Sequence, residues 1–222
     1  MTLRNALLSL GCTLALATSA MAADPLKIGL MEDVSGDLAV LGKPKLNGSL
    51  LAVEEINKAG GIMGRQIELI HLDPQGDNAR YQEFTRRLLS KDKVDLLIGG
   101  ITSASREAVR PIVDRTQTPY FYTNQYEGGV CDANMISMGA VPEQQFSTLI
   151  PYMVQTFGKK VYVVAADYNF GQISAEWNRT ILKDLGGTVV GEEFIPLGVS
   201  QFAQTIQTVS YTHLTLPTIL LV

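Results

Sequence analysis

Three hydroxyl residues, Thr102, Ser103 and Ser105, follow directly on Gly99-Gly100 and form the densest group of side chains able to hold a small polar molecule. A hydroxyl both donates and accepts, so such a group suits recognition of an amide or an amino-acid head group. The elements around it fix where it must lie. Residues 94–98 are a short apolar run, as in a strand buried on both faces of a parallel sheet. Ala108, Val109, Ile112 and Val113 then recur at helical spacing. The hydroxyls therefore sit at the carboxyl end of a strand, where open α/β sheets bind ligands. Gly99 and Gly100 would let the chain turn sharply and leave backbone N–H groups free to converge there. The same hydroxyls are helix-capping types, so capping of their own helix stands beside ligand binding as a reading. Pro111 removes a hydrogen bond and predicts a short or kinked helix.

Bond-making chemistry finds little support. Of the two histidines, His71 lies within an expected strand and His213 near the carboxyl end. There is no Gly-x-Ser-x-Gly elbow, and Gly99-Gly100 lacks the lysine and spacing of a phosphate loop. Glu32-Asp33 and Asp73 are isolated carboxylates without partners at metal-ligand spacing. The reading is a non-enzyme with no metal and no cofactor. A chain of 222 residues, 46% hydrophobic and 18% charged with net charge −4, is globular, of one or two domains. Nothing in that balance suggests nucleic acid.

Residues 1–22 stand apart. Arg4 is their only charge, residues 6–17 are mostly apolar, and Ala20-Met21-Ala22 has the small-x-small form of a signal-peptidase site. A secretory signal cleaved before Ala23 is expected. A retained membrane helix is disfavoured by the short apolar core and by the lack of a second span. Ser9-Leu10-Gly11 lacks the aliphatic residue expected before a lipidated Cys12. After cleavage Cys131 is the remaining cysteine, which excludes an internal disulfide.

Strands are expected at residues 26–31, 67–72, 94–98, 119–122 and 135–138, and then at 160–166 and 188–195. Between them, a helix beginning near Pro44 carries Leu46, Leu50, Val53 and Ile56 as its apolar stripe, after a loop over residues 32–43. A second helix over 79–91 turns Tyr81, Phe84 and Leu88 inward. Helix 142–157 presents Phe146, Ile150, Met153 and Phe157, and a later one carries Ile173, Trp177 and Ile181. Alternating strands and helices imply parallel sheets covered on both faces. A domain change is expected near residues 139–141.

Lys27-Ile28-Gly29 with Ser35-Gly36 and Gly42, Asn57-x-x-Gly60-Gly61-x-x-Gly64-Arg65, Asp73-Pro74, the loop 99–105 and Tyr122-x-x-x-Tyr126-Glu127-Gly128 occur in one order and spacing. Together they resemble periplasmic solute-binding proteins of the leucine/isoleucine/valine-binding family. The Tyr-Glu-Gly loop and Asp167-Tyr168 are most similar to the urea and short-chain amide binders. The resemblance covers residues 26–207. It implies a two-lobed α/β protein of the periplasmic-binding type I class, each lobe a parallel β-sheet sandwiched by helices, with the second lobe incomplete here. Such a protein closes on a small polar solute and delivers it to the membrane permease of an ABC importer, without stable insertion in the membrane. Carried across, Thr102, Ser103, Ser105, Thr123 and Tyr126 line the first-lobe side, and Tyr168 and Phe170 form the second-lobe wall. Glu127 either pairs with an ammonium or faces solvent and braces its loop. An amide and an amino acid are not separated by these residues. A ligand sensor reporting to a regulator is the alternative, and the signal sequence favours the importer.

The expected layout is thus a signal over 1–22, a first lobe over 23–140, the start of a second over 141–207, and a tail over 208–222. The tail departs from the family pattern and resembles translated read-through of a sequencing adapter. It gives His213 no role and keeps residues 214–222 out of the core. Resequencing the locus should show that codons for residues 210–222 are not continuous with the gene. Mass spectrometry of exported protein should find Ala23 as its first residue, and Met1 retained in a membrane fraction would contradict this.

Overall fold

The structure, a computed structural model, describes residues 23–211 and 219–221. The expected signal, His213, residues 214–218 and Val222 lie outside the described residues. The chain builds two parallel sheets. The first joins β1 (Leu26–Met31), β2 (Ile67–Leu72), β3 (Leu96–Gly99), β4 (Tyr120–Tyr122) and β5 (Met135–Ser137) in the order β2-β1-β3-β4-β5. The second joins β6 (Lys160–Ala166), β7 (Thr188–Ile195) and β8 (Ile219–Leu221) in the order β7-β6-β8. Residues 219–221, expected to stay out of the core, run parallel to β6, with Ile219 opposite Tyr162.

The helices are α1 (Ala39–Lys58), α2 (Asn78–Arg87), α3 (Ser103–Thr116), α4 (Pro142–Phe157), α5 (Asn169–Asp184) and α6 (Ala203–Tyr211). A π-helical turn, Leu88–Asp92, continues α2. Helices α2 and α3 cover one face of the first sheet. Tyr81, Leu88, Leu97, Val109, Val113, Tyr120 and Tyr122 there are fully buried. On the second sheet, Phe146 and Ile150 of α4 pack with Val161, Val163, Ala165, Ala175 and Leu182. The carboxyl ends of β1 and β3 are level, since Met31 lies opposite Gly99.

Several expectations are corrected. Helix α1 begins at Ala39, ahead of Pro44, which sits inside it. The hydrogen bond that Pro44 forfeits would go to the carbonyl of Val40, a residue 76% exposed, so the loss falls on the solvent side of the helix. Gly42 explains the early start. A Cβ there would lie 1.9 Å from the Asp33 carbonyl oxygen, so only glycine lets the first turns cross the end of β1. The expected α1 stripe is shallow. Leu50 is exposed, and Gly42 is the helix residue that is buried. An apolar groove of about 410 Å³ remains between α1 and the sheet, lined by Leu30, Val53, Ile56, Ile98 and Phe121 among others. Helix α3 runs through Pro111 to Thr116. Pro111 lies on its exposed side, while buried Val109 and Val113 hold the helix on both sides of it. In α5 the fully buried positions are Phe170, Gly171, Ser174, Ala175, Asn178 and Leu182, and Ile173, Trp177 and Ile181 flank them half-buried.

Two glycines in α1 give opposite expectations. Gly42→Ala should destabilise the protein by about 1–3 kcal/mol, because the added methyl meets backbone. Gly48 has nothing within 4 Å of a built Cβ, and Gly48→Ala should stabilise by about 0.5–1 kcal/mol through helix propensity alone. Thermal melts of the two variants read the difference directly.

Candidate functional site

The loop from β3 into α3 is fixed by its carbonyl groups. Gly99 O accepts from Tyr120 Oη (3.0 Å), Gly100 O from Lys45 Nζ (2.9 Å), and Ile101 O from Tyr122 Oη (2.9 Å) and Asn124 Nδ2 (2.6 Å). Gly99 and Gly100 have φ of 116° and 90°. A Cβ on Gly99 would come 2.3 Å from Met31 O, and one on Gly100 2.7 Å from Tyr120 Oη. The glycines therefore serve the close approach and the left-handed turn together. The N–H of Gly100, expected free, donates to Met31 O at 2.8 Å and extends the sheet by one bond. Thr102 caps α3 by accepting from Ser105 N at 3.0 Å, and Ser105 Oγ returns a bond to Thr102 O at 2.8 Å. The capping reading thus holds for these two side chains. The capped helix still points its amino end, with its early N–H groups, at the space beyond the strands.

Behind that helix end lies a buried ion pair. Arg106 is fully buried, and its guanidinium donates to both oxygens of Glu127, from Nη1 at 3.2 Å and from Nη2 at 2.5 Å. It also reaches Glu107 Oε1 from Nη2 at 2.9 Å and Ser103 Oγ from Nη1 at 3.3 Å. Ser103 in turn donates to Glu127 Oε2. The guanidinium carbon stands 5.2 Å from the Tyr122 ring centroid and 5.5 Å from that of Tyr126. A weakly hydrated, planar cation between two ring faces suits arginine and not lysine. Burial alone would raise the Glu127 carboxyl. The Arg106 and Ser103 hydrogen bonds outweigh it and hold the group below the usual carboxylate range.

From the second sheet, the loop after β6 faces the same carboxylate. Asn169 Nδ2, in the first turn of α5, donates to Glu127 Oε1 at 2.9 Å. Tyr168 and Phe170 stack with ring centroids 6.2 Å apart. Burial, then the Glu127 charge, pushes the Tyr168 hydroxyl up to about 12. Loops at the carboxyl ends of both sheets therefore meet at Glu127, which is surrounded by hydroxyls, aromatic faces and the compensating guanidinium of Arg106.

A model of the periplasmic binding protein family matches residues 25–211. The chain belongs to this family. A Leu/Ile/Val-binding protein homolog 7 of Brucella suis is 30% identical over 202 residues, covering 86% of this chain and 50% of the relative. Among solved structures, an ABC transporter substrate-binding protein from Sphaerobacter thermophilus superposes with TM-score 0.70 at 27% identity, over 85% of this chain and 52% of that one. A branched-chain amino acid transporter substrate-binding protein of Streptococcus pneumoniae, in complex with isoleucine, shares the fold with TM-score 0.72 at 24% identity, over 84% and 54%. The chain thus spans half the length of the curated relative it matches. Among the described residues no helix is long and apolar enough to cross a membrane.

In this binding-protein chain the residues expected from sequence separate into groups. Ser103, Tyr126, Tyr168 and Phe170 come together around Glu127, with Phe170 buried behind Tyr168. Thr102 and Ser105 face their own helix turn. Thr123 is turned away from the cluster. It lines the apolar groove beside Phe121 and Met138, its hydroxyl without a partner among the described residues. Arg106 and Asn169 were missed. The signal for Arg106 was present, since it shares the buried stripe of α3 with Val109 and Val113 at helical spacing.

One further buried group is only partly satisfied. Glu32, just past β1, is 1% exposed, pairs through Oε1 with Lys45 Nζ at 2.9 Å, and among the described residues has no partner for Oε2. Burial dominates and raises its pKa to about 7 against the pull of Lys45. Since the folded value lies above the ordinary 4.5, the group's contribution to stability is intact below about pH 4.5 and is lost as pH rises through about 7. Glu32→Gln should therefore gain on the wild type by on the order of 1–3 kcal/mol between about pH 5 and pH 8, as read by denaturant titration at the two values. Arg106→Leu strands the Glu127 charge and should cost about 3–5 kcal/mol in the same assay.

Proposed function

We propose that the protein is the extracytoplasmic substrate-binding component of an ABC importer, exported by its amino-terminal signal to the periplasm. It captures a small polar solute, namely urea, a short-chain amide or a branched-chain amino acid, between its two lobes and presents it to a membrane permease. The observation that carries this reading is the meeting of strand-end loops from both sheets at Glu127, where Asn169 of the second lobe bonds a carboxylate of the first. The name of the Brucella relative and the membership of the family support the solute class at its coarser level.

The chemistry is that of recognition. The amino end of α3 offers backbone N–H donors to a carbonyl or carboxylate oxygen. The hydroxyls of Tyr126 and Tyr168, both half-buried, make no hydrogen bond among the described residues and are available to a ligand. Ser103 already gives its proton to Glu127 and serves the solute only as an acceptor. Aromatic faces exclude water once the lobes close, which strengthens each of these contacts.

Calorimetric titration of urea, acetamide and L-leucine into the protein expressed from its intact locus tests the reading. Tyr126→Phe and Tyr168→Phe delete hydroxyls and keep the rings, so each should weaken the best ligand roughly five- to hundredfold while leaving the melting temperature nearly unchanged. Equal affinity in wild type and both variants would remove these loops from the site.

A further inference from the structure

We propose that Asn169 and Glu127 form a latch between the lobes, with Arg106 as its fixed anchor, so that closure is held by a protein–protein bond that the solute does not touch. The inference rests on the solute-capture reading above. Its geometry has two sides that are held differently. On the first lobe, Glu127 is held by both guanidinium nitrogens of Arg106 and by Ser103, and Arg106 is clasped between Tyr122 and Tyr126. That carboxylate is in position before the second lobe arrives. On the second lobe, Asn169 is the first residue of α5, behind a Tyr168 cap position whose side chain makes no capping bond. Arrival of α5 therefore adds a positive helix end and an amide donor to a carboxylate already held by Arg106 and Ser103. A bond to an ionised acceptor is roughly twice as strong as a neutral one.

A second contact shows that the lobes meet elsewhere too. A Cβ built on Gly198, in the loop after β7, would lie 2.6 Å from Asp37 Oδ2 in the loop after β1. That contact is a steric limit, whereas the Glu127–Asn169 bond is directional. Asn169 thus acts as a positioning residue for closure.

The test reads closure without any ligand. Spin labels at Glu83→Cys on α2 and Lys183→Cys on α5, in a Cys131→Ser background, report the distance between lobes by pulsed electron resonance; Glu83, Lys183 and Cys131 are all exposed. Asn169→Ala should shift the closed-to-open ratio toward open by roughly tenfold. Asn169→Asp, which sets a carboxylate against Glu127, should shift it further. Neither should alter far-ultraviolet circular dichroism, because the substitutions lie at a helix end and leave both cores intact. With urea, acetamide or L-leucine added, the same variants should show faster dissociation with little change in association rate. Distance distributions unchanged from wild type in both variants overturn the latch whatever the protein binds. Shifted distributions with no binding of the three solutes leave the latch standing and overturn the solute reading instead.

Discussion

A guanidinium taken fully out of water must be matched on every donor or the fold loses several kcal/mol, and the interlobe region is built around satisfying Arg106. Glu127 supplies the counter-charge, Ser103 and Glu107 take remaining donors, and Tyr122 and Tyr126 cover the two faces. Those demands dictate the path of the loop after β4, since Tyr126 and Glu127 must both return to α3. They also decide what the surroundings offer. The charge pair is spent on itself, so the groups left around it are hydroxyls, rings and backbone dipoles.

β6 was legible because a parallel strand buried on both faces writes itself as an apolar run, and residues 160–166 match it to the residue. Residues 188–195 match β7 as well, although that strand is only half-buried and carries Glu192 and Glu193. Helix limits were harder where a proline conflicted with packing. Pro44 and Pro111 both read as boundaries, and both lie inside helices, because each forfeits its bond on an exposed side while residues such as Gly42, Val109 and Val113 fix the helix from the buried side. Local propensity is visible in a sequence, and the tertiary contact that overrides it is not.

The site was legible in part for a similar reason. The cluster of Thr102, Ser103 and Ser105 lies where β3 runs into α3, as its spacing implied, yet the residue types alone could not divide capping from binding. The structure assigns the first and last to the helix turn and Ser103 to Glu127. Thr123 and Asn124 are neighbours at the end of a strand, and alternation sends one to each face. Asn124 reaches the glycine loop, while Thr123 faces the apolar groove. A one-residue choice of face was enough to misplace a hydroxyl. Asn169 gave no local sign, because its partner lies in the other lobe, 42 positions away in the chain.

Tyr120 and Tyr122 sit two residues apart on β4, and their hydroxyls hold the carbonyls of Gly99 and Ile101, also two residues apart. One strand's pleat thereby serves as a ruler laid along its neighbour's loop. Substitutions at residues 102–105 leave both marks in place, since only backbone oxygens are gripped. Insertion or deletion of a single residue between 99 and 101 would throw both marks out of step at once. Variation at this strand end is then open to changes of side chain and closed to changes of length in this loop.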